Sequence, residues 1–160
     1  MKGITDYIWD KQPHHVTRLA AEEALRQIPG GGFTVDSGGD SPKHGFQVAG
    51  LRKTREVPAK DLDVDLMHRI LQEEYETHQA LYDRYPRRVY FGGWKDGDNV
   101  VIEPSENIDR RYREYAVEVG KARNQKAVYD LDAGEDIETG GTGEYIQDWE
   151  PSPREAGWWD

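Results

Sequence analysis

Five histidines, four serines and a large surplus of carboxylates are the residues that could carry chemistry in this chain. His14 and His15 are adjacent and diverge on a helix, His44 sits in a glycine-rich turn, and His68 and His78 fall out of helical register. None of these spacings is one that holds zinc. Glu74 and His78 share a helix face at i,i+4, ordinarily a solvated contact and not a ligand pair. Ser37, Ser41, Ser105 and Ser152 all stand in turns rich in Gly, Pro or Asp, where a hydroxyl serves the backbone, and no Gly-x-Ser-x-Gly elbow is present. Acids are so abundant that no one pairing stands out for proton transfer. The sequence therefore points to a non-enzymatic chain with no catalytic residue, no cofactor and no metal.

The glycine runs do not read as phosphate cradles. Gly30-Gly31-Gly32 precedes a strand instead of opening a helix, and Gly140-Gly141-Thr142-Gly143 leads into no helix and has acids around it. They read as a helix stop and a hinge. Gly92-Gly93-Trp94 suggests either a bulge that exposes Trp94 for recognition or a core tryptophan with glycines making room for it. Arg87-Arg88, and Arg110-Arg111 with Arg113, are the densest basic clusters; they could receive acids in cis or in trans.

The elements that must position these residues follow from apolar spacing. Val16, Leu19, Ala20, Ala24 and Ile28 mark a helix begun near Pro13 and stopped by Pro29-Gly30. Phe33–Val35 and Gly45–Leu51 read as two strands paired in a loose hairpin. Leu62, Leu66, Ile70, Tyr75, His78, Leu81 and Tyr82 define one long helix with Asp61 or Asp63 at its N-cap. Val89–Trp94 and Val100–Ile102 form a hairpin around Lys95–Asn99, with the strand's end near Glu103-Pro104-Ser105 left open. Ile108, Tyr112, Tyr115, Ala116 and Val119 give a third helix, and Ala127–Leu131 a last strand. The expected fold is α+β: an antiparallel or mixed sheet built from hairpins, about three helices packed on it, and an extended acidic C-terminal tail.

The charge of −10 is uneven, with −9 of it between Val128 and Asp160 and −1 before. Such asymmetry suits an interaction segment aimed at a basic surface, and clustered cations for binding nucleic acid directly are missing. No stretch is long and apolar enough for a membrane span or signal peptide, and there is no cysteine, so a reducing, cytoplasmic compartment is expected. Residues 1–139 are assigned to one domain and 140–160 to the tail. Prolines and acids deny the tail a core of its own, yet it carries three indoles with large apolar area. Partner-binding residues are therefore expected at Tyr145, Asp148, Trp149, Glu150, Trp158 and Trp159, with Trp94 on the domain. Deleting residues 145–160 is expected to abolish partner binding and leave the domain's melting temperature nearly unchanged.

The run Val89–Trp94, Asp96-Gly97, Val100–Ile102, Gly120–Leu131 and Ile137–Glu144 resembles a small module found in actinobacteriophage proteins associated with head morphogenesis. Gly31–Val35 and Gly45–Val48 fit its opening hairpin. The resemblance implies no catalytic residues. It implies a bacteriophage protein working by protein–protein contact, as a virion-associated or assembly component in the host cytoplasm or the particle, with a basic-grooved phage structural protein as partner. Two rival readings are a host-takeover or anti-defence inhibitor whose acids mimic nucleic acid, and an enzyme of unknown class.

Overall fold

The computed structural model describes residues 15–152. The first helix, α1 (Arg18–Gln27), is capped by Thr17, whose hydroxyl accepts the Ala20 N–H at 3.3 Å. Pro13, the expected start, lies outside the described residues. The buried face of α1 is Ala20, Ala21 and Ala24, small enough for close packing on α2 (Val64–Thr77). Leu19, expected on the apolar stripe, is instead exposed.

Asp63 caps α2 by accepting the Leu66 N–H at 2.8 Å, as one of the two expected caps. The expected single long helix is interrupted at His78 (φ −120°, ψ 32°), after which α3 (Gln79–Arg84) begins. Thr77 contributes to the break because its hydroxyl bonds the Glu73 carbonyl at 2.8 Å and competes with the helical ladder. Leu81 and Tyr82 still reach the core, with the Tyr82 ring 4.5 Å from Phe91 and 6.2 Å from Tyr75.

Among the described residues the sheet has seven strands, all paired antiparallel: β1 (Gly32–Val35), β2 (Phe46–Val48), β3 (Arg55–Pro58), β4 (Val89–Asp96), β5 (Asn99–Ile108), β6 (Ala127–Asp130) and β7 (Glu135–Glu138). The order is β1-β4-β5-β2-β6-β7, with β3 also on β5. The α+β class and the β4–β5 hairpin are as the sequence indicates. The hairpin expected between the first two strands is not formed. β1 lies on β4, and β2 lies between β5 and β6. Steric fit explains the first choice: Phe33 faces Gly93, where a Cβ would stand 2.3 Å from the Phe33 ring. Gly93 therefore makes room for Phe33 and not for the tryptophan beside it, while a Cβ at Gly92 would stand 2.9 Å from the Ser105 hydroxyl.

β5 does not end at Ile102 but runs through Pro104 to Ile108, which had been expected on the third helix. Along its outer side, residues 99–102 pair with β3 and 106–108 with β2, so 103–105 have no strand partner there. Asn107 donates its N–H to Arg88 on the β4 side. N–H groups alternate along a strand, so position 104 faces the other side, where the missing proline N–H leaves no ladder bond unmade. The third helix, α4 (Arg113–Ala122), starts after a single tight turn at Arg110–Tyr112 capped by Asp109.

Two apolar clusters result. The larger joins α1, α2 and α3 to β1, β3, β4 and the first half of β5; the smaller packs α4 on Phe46, Val48, Ile108 and Val128. Between them, the second half of β5 is polar and buried. Gly93→Ala should lower stability by about 1–3 kcal/mol, because the added methyl must displace the buried Phe33 ring; urea denaturation would measure it, and an unchanged midpoint would contradict the packing described.

Candidate functional site

A buried carboxylate between two guanidinium groups organises the polar part of β5. Glu106 is fully buried, with Arg123 at the C-terminal end of α4 only 3% exposed. Arg123 Nη2 donates to Glu106 Oε1, and Arg88 Nη2 lies 3.8 Å from Glu106 Oε2. One carboxylate between two cations leaves positive charge and unused donors in a dry setting, a costly state unless further acceptors are supplied. The C-terminal segment supplies them. Arg88 Nη2 donates to the Ser152 carbonyl and Arg123 Nη2 to the Glu150 carbonyl at 3.4 Å. In return the Ser152 N–H and hydroxyl donate to Glu106 at 2.9 and 3.1 Å.

The segment reaches this point along a continuous path. Thr139, Gly141 and Gly143 donate N–H bonds to the carbonyls of Lys126, Gln125 and Asn124 at 2.9, 3.1 and 2.8 Å. Asn124, in the left-handed region at φ 58°, holds Thr142 through both ends of its amide at 2.6 and 3.0 Å. Gly141 is needed for this approach, since a Cβ there would sit 2.4 Å from the Gln125 carbonyl oxygen. The glycine run expected to be a hinge is thus fastened to the turn after α4. Packing does not break at residue 140: residues 140–152, expected to leave as a tail, form a strap across the domain.

The sequence-derived binding residues divide accordingly. Trp149 is half-buried against the larger core; its backbone N–H donates to the Leu51 carbonyl at 3.0 Å, and its own carbonyl accepts from Arg52 Nη1 at 2.7 Å. Part of its ring is covered in cis, because the core offers apolar surface within reach and Arg52 holds the backbone there. Asp148, Glu150 and Tyr145 face solvent. Asp148 accepts from the Tyr145 hydroxyl at 2.6 Å and lies 3.8 Å from Arg52, while Glu150 meets the Tyr85 hydroxyl at 3.4 Å. Trp94 stands on β4 opposite Val101, five positions from the Val89–Glu106 pair, which is roughly 17 Å along a strand. It is not part of the strap site. Trp158 and Trp159 lie outside the described residues.

A second polar group is buried in the interior. Glu103 and Glu74 are 2% and 6% exposed. Burial pushes each carboxyl up to about 7, each raised further by a neighbouring glutamate, against the Gly50 N–H bond to Glu103 at 2.9 Å and the charge of Arg55 near Glu74. The His78 imidazole, 3.9 Å from Glu74, is pushed down by burial and by Arg52, so at neutral pH the pair is weakly charged at most. Burial and the same two carboxylates hold the Tyr82 phenol well above its ordinary value. Among the described residues no group of three or more His, Asp or Glu side chains could hold a metal ion, and no helix is long and apolar enough to cross a membrane.

Sequence reasoning missed Glu103, Glu106, Arg123 and Ser152. With the strand taken to end at Ile102, nothing marked the acids beyond it as interior. The available signal was the return of an apolar residue, Ile108, at the same strand parity as Ile102. Comparison of the chain with protein-family models, curated proteins and solved structures gives no match.

Two outcomes follow. Between pH 4.5 and 7 the folded chain binds more protons at Glu74 and Glu103 than the unfolded chain does, so stability should fall as pH rises through this window and level off above it. Glu103 alone should contribute on the order of 2 kcal/mol to that fall; thermal melts should give a lower Tm at pH 8 than at pH 5.5, and Glu103→Gln should flatten the difference. Truncation after Glu144 should lower stability by about 2–5 kcal/mol, since it removes Trp149 from the core and unpairs Glu106 from Ser152; an unchanged Tm would show that the strap does not hold.

Proposed function

We propose that the chain is a non-enzymatic binding protein that docks through its acidic C-terminal segment onto a basic groove of another protein, with a bacteriophage particle or its assembly as the setting. One observation carries this reading: the strap presents its polar and apolar edge outward in a fixed form. With Trp149 and Ser152 fastened inward, Tyr145 and Ile146 stay 37% and 53% exposed, flanked by Glu144, Asp148 and Glu150. Lys53 lies 5.6 Å over the Tyr145 ring, and the Tyr145–Asp148 bond holds the segment's shape. Pre-ordering of this kind reduces the entropy lost on association. Exposed apolar side chains among acids suit a partner surface with an apolar centre and a basic rim.

The interior acids support binding over catalysis. Glu74 and Glu103 have the shifted proton affinity expected of acid–base groups, but both are buried away from any substrate. The phage setting rests on the resemblance of the region from Arg88 to Tyr145 to head-morphogenesis modules. Trp158 and Trp159, by sequence, belong to the same contact.

A photo-crosslinking residue at position 146, in particles of the phage that encodes the chain, should join it to one other structural protein. Charge reversal by Asp148→Lys with Glu150→Lys should abolish that adduct while circular dichroism stays unchanged. Absence of the chain from particles, or equal adducts from a crosslinker at the exposed Leu19 on α1, would sink the proposal.

A further inference from the structure

The strap uses Arg88 but not its neighbour. Arg87 adopts the left-handed conformation at φ 65°, which glycine accepts at less cost than an arginine does. Its side chain lines a cleft of about 420 Å³ together with Lys43 and Arg110, over the buried Tyr90 and Asn107. Three formal cations and one acid, Asp109, thus line one open cleft in a protein whose net charge is −10.

The acids near this cleft have partners of their own. Asp109 accepts from the Arg111 backbone N–H at 2.8 Å and from its Nε at 2.9 Å. Asp132 accepts from His44 Nδ1 at 2.6 Å and the Gly45 N–H at 2.9 Å, with Arg110 Nη1 at 3.6 Å. Lys43 and Arg87 form no ion pair among the described residues. Asp36 and Asp40 act on the Tyr90 phenol beside Arg87 but do not line the cleft, and an anion seated between Lys43 and Arg87 gains from both cations. The Tyr90 hydroxyl, 3.3 Å from the Arg87 carbonyl, places a further polar atom in the floor, and the Tyr90 ring with Pro42 adds an apolar wall.

We propose that this cleft binds a phosphomonoester carried on a small apolar body. A dianion with three acceptor oxygens matches a lysine and two guanidiniums better than a single carboxylate, which one arginine fork satisfies. The volume is within the range of small-molecule sites. The position of Arg87 is explained by the same reading: the left-handed turn directs Arg88 inward to the strap and leaves Arg87 at the cleft. The proposal is independent of docking through the strap, because no strap residue lines the cleft.

Titration calorimetry of the full chain with phenyl phosphate, benzoate and inorganic phosphate tests it. Phenyl phosphate should bind saturably with a Kd of about 1 mM or tighter, and the other two about tenfold more weakly. Arg87→Gly and Lys43→Ala should each weaken phenyl phosphate about tenfold, and Arg87→Gly should leave Tm equal or raised, since glycine accepts the local φ. The proposal is overturned by no saturable binding up to about 10 mM, by parent-like affinity in both variants, or by benzoate or inorganic phosphate binding as tightly as the ester.

Discussion

Glu106 cannot be buried alone. A carboxylate in the middle of a central strand carries a large desolvation cost, and Arg123 and Arg88 from either side offset it only by importing more charge than they cancel. The C-terminal segment eases the imbalance: its carbonyls accept from the guanidiniums, and the Ser152 backbone N–H and side-chain hydroxyl donate to the carboxylate. This exchange ties three distant parts of the chain, the start of β4, the end of α4 and residues 150–152, to one atom group on β5. The strap is therefore part of the folded unit.

The same strand explains why the interior is divided. Its two ends are apolar and feed separate clusters, while positions 103–107 are polar and lie where β3 has stopped pairing and β2 has just begun. A gap beside a central strand exposes backbone that must be satisfied. Pro104 removes one donor there, and the Glu103 carboxylate meets the Gly50 N–H that crosses the gap. The outcome is a polar seam between two hydrophobic clusters, with raised carboxyls on one side and an ion-paired one on the other.

Two surface features stand out from this interior. On one side a fastened acidic strap offers Tyr145 and Ile146 outward; on the other a basic cleft opens beside Arg87. Adjacent arginines meet different surroundings: Arg87, at φ 65°, lines the cleft, and Arg88 donates to the Ser152 carbonyl. An acidic outer edge and a basic cleft on one small domain can engage two different ligands without competing for the same atoms.

The amino-acid sequence by itself determined what local physics determines. Apolar periodicity located all the main helical stretches, β-branched and aromatic runs around a glycine loop identified β4 and β5, and Asp63 marked its cap. The acidic bias of the C-terminal fifth and the anomaly of tryptophans in a segment with no core were legible as well. What the sequence left open involved residues far apart along the chain. Whether β1 joins β2 or β4 depends on the space that Gly93 leaves for Phe33, and whether Trp149 is covered in cis depends on Leu51 and Arg52, about a hundred positions away. Burial of Glu106 needed Arg88, Arg123 and Ser152 to converge. Tertiary structure alone decided these, because the energy of burying a charge or an indole is set by which groups meet in space, and no period or spacing in one segment encodes its distant partner.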